Sequence, residues 1–420
     1  FYFYSDHCET GYCTSYENIF HFTETYLQKN PRNIATPKHV LDYVFEKKVL
    51  YEIEQNRFTF RLNSDFEYFL AWYITNTPSF RDEIINDDKL FLSFKNELDL
   101  HSGINRNDES FLLKIFSKTQ KSFKDLNQRY LSTGSHDENL IAGIKTTINF
   151  SENVNTLIKE KPLDFSKQDQ VIETIMPNLN NDSYEVKSKE NYNAFEVNFK
   201  VLEQHLFILS RIFRNSDEIK DINLVNDIFN FIIDSYINLG FLLIEEVGDI
   251  NKIEDLLTED QKKNEEITLI KDLINLTLNL VPLLMQVSLF ESLGHINFEN
   301  IIQERLNNVK KHYKDNQYLI FLLSYLLIDL DIKKNSKLLI ELPELITLNS
   351  LVNSSIVKQT FYFIFKAHNN KGLESLLREN IKKQTIELNP ELGSRENQLK
   401  IDSNIDEKKK LSLLIKNKES

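Results

Sequence analysis

The feature that most constrains this chain is the helical spacing of its apolar side chains. Val201, Leu202, His205, Leu206, Leu209, Ile212 and Phe213 fall on one side of a helix. Leu224, Val225, Ile228, Phe229, Ile232 and Tyr236 fall on one side of the next. Further helices are expected at about 265–290, 297–313, 316–331, 335–347, 350–367 and 371–385. The 420 residues hold only 9 Gly and 8 Pro, too few for a turn-rich β-sandwich or a Gly-rich nucleotide fold. Helices of about 15–25 residues joined by short polar turns stack as antiparallel pairs. No fixed repeat is visible. The expected fold class is therefore mainly α, with an irregular, solenoid-like helical array.

Composition narrows the function classes. The chain is 41% hydrophobic and 27% charged, which describes a folded protein and excludes a mostly disordered one. Lys+Arg 50 against Asp+Glu 63 leaves a net charge of −13, which disfavours bulk attraction to nucleic acid or an anionic membrane. Two cysteines cannot staple a chain of this size, so a reducing, cytoplasmic compartment is expected. No window offers the roughly 18 uninterrupted apolar residues of a membrane span. The richest, 318–327 (YLIFLLSYLL), is followed by Asp329 and Asp331, and 276–290 is broken by Asn279, Pro282 and Gln286. Both read as core helices. The opening FYFYSDHCETGY begins at Phe1 and lacks the marks of a signal peptide; the expectation is a fragment of a longer protein.

The first 75 residues carry a different pattern. Tyr16, Ile19, Phe20, Phe22, Thr23 and Tyr26 give a helix ended by Pro31, and Thr36-Pro37 caps a second that runs to about Lys47. Residues 49–53 (VLYEI) and Phe58-Thr59-Phe60 make a hairpin around Gln55-Asn56. Ser64-x-x-Glu67 has the form of a capping box opening a helix through Tyr73. Two helices, a hairpin and a further helix form a winged-helix pattern over 1–75. A helical connector is expected over 76–190, where Asn107-Asp108-Glu109 opens a helix carrying Phe111, Leu112, Ile115, Phe116 and Phe123 on one side. Its end is polar and loop-rich, with Pro162, Pro177 and NLNNDSYEVKSKENYN at 178–193. The helical array then occupies 191–386, and a charged tail containing Lys408-Lys409-Lys410 occupies 387–420.

Motifs for chemistry are scarce. There is no G-x-x-x-x-G-K-[ST] and no G-x-G-x-x-G, so this chain by itself has no P-loop to cradle a triphosphate. His7-Cys8 and Cys13 lack the second pair that a tetrahedral zinc site needs. No G-x-S-x-G elbow exists, and neither cysteine has a nucleophile motif. Arg305 and His312 share the loose Arg…His spacing of helical ribonucleases of the HEPN type. That spacing is two helical turns, which any amphipathic surface can show. No catalytic and no metal-binding residue is expected.

Residues 58–74 read FTFRLNSDFEYFLAWYI. This stretch resembles the end of the winged-helix domain in STAND-class P-loop NTPases, especially the NACHT type. Those proteins carry an aromatic strand, a His two residues after an aromatic, and a helix beginning F-x-E-Y-F-x-A. Glu67, Tyr68, Phe69 and Ala71 match the helix, and Phe60 takes the strand aromatic. The family's His position falls on Leu62, and Asp65 stands where an aromatic is usual with Phe66 beside it. Leu62 argues against direct nucleotide sensing by this element. The segment from Phe80 to Asp108 also looks like the helical stretch that follows in bacterial members.

The resemblance implies the regulatory and sensor portion of a nucleotide switch. Arg61, Glu67, Tyr68 and Trp72 would be interdomain contacts, ATP or ADP would sit in an upstream nucleotide-binding domain, and no cofactor would bind this chain. A protein partner or ligand would engage the helical array, oligomerisation would follow activation, and bacterial members often act in defence or signalling. The alternatives are a helical protein-binding scaffold unrelated to NTPases and, behind it, the HEPN-like ribonuclease. DNA binding by the winged helix is opposed by the net charge and by Glu46, Glu52 and Glu54 beside the hairpin. Neither nucleic acid nor membrane is expected as a partner.

Overall fold

A computed structural model describes residues 1–7, 11–29, 35–54, 56–131, 199–248, 281–312, 316–345, 371–388, 394–395, 398–399, 401–403 and 405–406. The polar linker, the helix expected at 350–367, most of the one expected at 265–290 and the Lys408-Lys409-Lys410 run lie outside these residues. The chain is mainly α, as expected. It divides into two compact units, Phe1–Ser122 with Val171–Asp221, and Phe123–Gln170 with Ile222–Ser420.

The first unit opens with α1 (Tyr2–His7), β1 (Thr14–Ser15), α2 (Tyr16–Lys29), α3 (Pro37–Glu46), β2 (Leu50–Glu54), β3 (Arg57–Phe60) and α4 (Asn63–Asn76). Thr36 does cap α3: its Oγ1 accepts the His39 amide at 3.3 Å, with Pro37 in the first turn. The hairpin pairs Leu50 with Phe60, Tyr51 with Thr59 and Glu52 with Phe58. Asn56 sits at its turn with φ +59°, a left-handed conformation that Asn tolerates better than most residues.

One strand comes in addition. β1 pairs antiparallel with β3, Thr14 opposite Phe58 and Ser15 opposite Arg57, giving the order β1-β3-β2. Two residues are too short to show strand alternation, so this strand leaves no periodic signal. Tyr12 precedes it at φ +59° with its ring wholly buried. Thr59 Oγ1 donates to the Tyr12 carbonyl at 2.9 Å and the Phe66 ring lies 4.8 Å away. Tertiary contact thus holds a bulky residue in a conformation that local sterics disfavour.

The expected capping box does not form. Leu62 occupies the N-cap of α4 without a side-chain cap bond, so Ser64 already lies inside the first turn. Glu67 Oε1 instead accepts from Asn63 Nδ2 at 3.2 Å and from Asn96 Nδ2 at 2.9 Å.

The unit continues with α5 (Pro78–Asn86), α6 (Asp88–Ser93), α7 (Lys95–Ile104), α8 (Glu109–Leu131) and α9 (Phe199–Asn215). Asp87 caps α6 by accepting the Lys89 and Leu90 amides at 3.0 Å. Asp108 accepts the Phe111 amide at 2.9 Å and starts α8 where the sequence placed it. α7 is the central element, with α4 and α9 both packed on it. Leu70, Ala71, Ile74, Leu98, Leu206 and Leu209 are buried there. Asn215 Nδ2 ties α9 to α7 through Asp99 Oδ1 at 2.7 Å and Ser102 Oγ at 3.0 Å.

The second unit takes the end of α8, then α10 (Ile222–Gly248), α11 (Val281–Leu293), α12 (Glu299–Lys310), α13 (Gln317–Leu330), α14 (Ile332–Asn335), α15 (Leu338–Leu345) and α16 (Lys371–Leu388). α13 packs against α12, α14 and α15, and α15 against α16. Every residue of α13 from Gln317 to Ile328 is buried, so the most apolar window is a central core helix.

One helix among the described residues, Ile222–Glu245 of α10, is long and apolar enough to cross a membrane, with mean hydropathy 1.4 and 67% of the window buried. Three of its polar residues have protein partners. Asp234 pairs with Arg305 at 2.5 Å, Asn238 Nδ2 donates to Asn127 Oδ1 at 2.8 Å, and the Tyr236 and Ser292 hydroxyls meet at 2.8 Å. These contacts suit a core helix. Finally, within the stretch expected to be a charged tail, Ile401 and Ile405 are buried.

Candidate interdomain surface

α4 is apolar on two sides. Phe66, Leu70, Ala71 and Ile74 face the core and are buried. Tyr68, Phe69 and Trp72 occupy the remaining arc and stay exposed, Tyr68 by 47% and Trp72 by 55%. Residues 68 and 72 are one turn apart, so their side chains share a face. The Tyr68 and Phe69 rings meet edge-on at 5.7 Å, and Phe69 leans on Phe60 of β3 at 5.9 Å. Leu62, just ahead of the helix, is also exposed. The ridge is seated on β3 through Phe69, and clustered exposed aromatics of this kind mark protein contact surfaces.

The four residues singled out from the sequence take different places. Tyr68 and Trp72 lie on this ridge. Arg61 is exposed at the end of β3, where its amide donates to the Val49 carbonyl at 2.9 Å and closes the hairpin. Glu67 is turned toward Asn63 and Asn96 and braces α4 against α7. Phe69 and Leu62 join the exposed surface without having been singled out. Their signal was available: in the register that buries Phe66 and Leu70, Phe69 points outward.

A second feature lies between α1, α2 and α4, a cleft of about 550 Å³ walled by Phe1, Tyr2, Phe22, Tyr26 and Tyr73, with His21 at its edge. Phe1 stacks on Tyr73 at 4.3 Å and Tyr2 on Phe22 at 4.4 Å. Its aromatic walls are joined by polar side chains, Ser5, Asp6, Asn18 and Thr25.

Two histidines, His101 and His205, are sealed in the core. His101 is fully buried with its Nδ1 2.8 Å from Thr75 Oγ1, and its Nε2 lies 4.0 Å from Asp108, which also pairs with Arg81 at 2.8 Å. Burial, then the Arg81 charge, lowers its pKa to about 4, with Asp108 opposing. His205 is buried beside Phe91 and 3.3 Å from Ser122 Oγ; burial, then Lys118, lowers its pKa to about 4 against the pull of Asp88. Both are neutral near pH 7 and closed to substrate. Arg305 is held by Asp234 and by the Asn230 carbonyl, and His312 is exposed just past the end of α12. The Arg…His pair therefore serves packing in one case and solvent in the other. Among the described residues no group of three or more His, Cys, Asp or Glu could hold a metal.

Comparison with known proteins adds one positive finding. Neither curated proteins nor solved structures yield a match. Residues 12–70 match the family model described as Novel STAND NTPase 4. That segment runs from Tyr12 through β1, α2, α3 and the hairpin into α4, and stops at Leu70, within the helix that carries the aromatic ridge. Residues 12–70 are thus similar to a segment of STAND-class NTPases, and the similarity covers this part of the chain alone.

Proposed function

We propose that this chain is the regulatory and sensor portion of a STAND-class nucleotide switch, of the NACHT type. The match at residues 12–70 carries this reading. In it, residues 1–75 are a winged-helix module whose ridge of Tyr68, Phe69 and Trp72, with Arg61 at its edge, docks on a nucleotide-binding domain encoded upstream. Glu67 positions the ridge by fixing α4 to α7. The ADP-bound state holds the ridge docked, and ATP together with a protein partner on the helical array releases it toward oligomerisation. The array works in the cytoplasm, in defence or signalling. Two states biased by differential contacts are all that such a switch requires.

An intact aromatic ridge on a small, well-braced domain supports the docking role, because a ridge of this size loses its hydration only against a partner. The test uses the intact gene product. The coding region upstream of Phe1 should contain a G-x-x-x-x-G-K-[ST] segment between a strand and a helix. Trp72→Ala in that protein should speed release of bound ADP about tenfold, roughly the 1.4 kcal/mol of one lost aromatic contact. An upstream region without a P-loop, or ADP release unchanged in a folded Trp72→Ala protein, would count against the reading.

A further inference from the structure

In the second unit, α16 is covered by a later piece of its own chain. Residues 401–403 and 405–406 are helical. Asp406 Oδ1 accepts from Arg378 Nη2 at 2.6 Å, and Asp402 Oδ2 pairs with Lys382 Nζ at 2.8 Å and its Oδ1 with Arg378 Nη1 at 3.9 Å. Arg378 and Lys382 are one turn apart on α16, and Asp402 and Asp406 are one turn apart on the segment. The order is reversed, 378 with 406 and 382 with 402, so the segment runs antiparallel to α16. Ile401 and Ile405 each precede one of the aspartates and are 2% and 1% exposed. The segment therefore sits with its apolar side inward and its carboxylates hooked over two cations.

α16 is built to receive it. Leu373, Leu377 and Ile381 form its buried stripe, and Asn380 Nδ2 anchors the helix to α15 through the Leu339 carbonyl at 2.6 Å. Glu374 accepts from Arg378 at 2.9 Å within α16 and aims its guanidinium. The Asp402 carboxylate raises the Lys382 ammonium above its usual range, with partial burial opposing. The pattern the surface reads is short: Ile-Asp, two residues, Ile-Asp, in the stretch IDSNID at 401–406. Short helices held by two apolar side chains and a few half-exposed ion pairs sit at the weak, readily opened end of a structure.

We infer that the α16 face bearing Arg378 and Lys382 is a docking site for acidic amphipathic helices carrying Ile-Asp at four-residue spacing, occupied in the free chain by its own residues 401–406. The segment acts as a releasable plug at this end of the array. A protein partner displaying the same pattern displaces it, and the uncovered face then binds that partner. This inference stands on the second unit alone and holds whether or not the nucleotide-switch reading does.

The test uses the full chain and a fluorescent synthetic peptide of residues 398–409. The unaltered chain should bind it weakly, because the site is filled in cis. Ile401→Asp/Ile405→Asp empties the site and should strengthen peptide binding at least tenfold, with affinity falling several-fold between low and high salt. Adding Arg378→Glu/Lys382→Glu should abolish that gain. Equal peptide affinity for the unaltered and the Ile401→Asp/Ile405→Asp chains would overturn the inference. Should the isoleucine variant unfold, Asp402→Asn/Asp406→Asn leaves the buried side chains in place. Hydrogen exchange across 401–406 should then accelerate at least tenfold while α13 stays protected, and unchanged exchange there would equally overturn it.

Discussion

At the residue scale, two buried histidines and one glycine make the sharpest statements. His101 and His205 have ordinary pKa values near 6.5 in an unfolded chain and about 4 in the folded one. The unfolded state therefore takes up protons first as pH falls. Stability is complete above about pH 6.5, declines as pH drops, and stops declining from this source below about pH 4. Each histidine contributes up to about 1.4 kcal/mol per pH unit within that window. Urea midpoints measured from pH 7.5 to 4.5 should fall steeply, and His101→Gln/His205→Gln should flatten the slope even if it lowers the midpoint at pH 7. A slope unchanged in the variant would contradict the burial argument. Gly240 makes a packing statement. A Cβ there would meet Tyr318 Oη at 3.1 Å and Met285 Cγ at 3.2 Å. Met285 can yield, but Tyr318 is sealed within α13. Gly240→Ala should therefore cost about 1–2 kcal/mol despite the better helix former. Combining it with Tyr318→Phe should recover most of that loss in thermal melts.

At the element scale, α4 carries a buried face and an exposed aromatic face along one helix. Leu70 is 1% exposed, so Leu70→Ala should cost about 2–5 kcal/mol. Trp72, half exposed four residues from Tyr68, should change unfolding stability by less than about 0.5 kcal/mol on replacement by Ala. Denaturation curves of the two variants decide this, and equal losses would mean that the ridge is part of the core. The same helix shows what the sequence made legible. α2, α3, the hairpin and α4 could all be placed, because their apolar spacing and the Thr36-Pro37 cap are local properties. The Ser64-x-x-Glu67 motif misled, because Asn96, 29 residues downstream, claims the Glu67 carboxylate and Leu62 takes the cap position. β1 was invisible, since two residues held by β3 and by the left-handed Tyr12 leave no pattern of their own.

At the scale of the whole molecule, the mainly α architecture was legible from periodicity and from the scarcity of Gly and Pro. The buried fate of α13 followed from its length and its flanking aspartates. What could not be read was how polar residues on apolar helices would be used. Asp234 and Asn238 let α10 reach membrane length while finding Arg305 and Asn127 inside the protein. Asp402 and Asp406, which look like a solvated tail by composition, fasten Ile401 and Ile405 to α16. Such pairings depend on residues far apart in sequence, so no local rule announces them. The aromatic ridge on α4 is the corresponding case at the surface. Its spacing was legible as a helix face, while its exposure became clear only once β3 and α7 had claimed the other side. A single measurement bears most directly on that ridge, namely hydrogen exchange over residues 66–74 in the intact gene product, with ADP and then with ATP. Docking on a nucleotide domain predicts protection around Tyr68–Trp72 with ADP that falls at least tenfold with ATP. Equal exchange in both nucleotide states, in a protein that binds both, would contradict it.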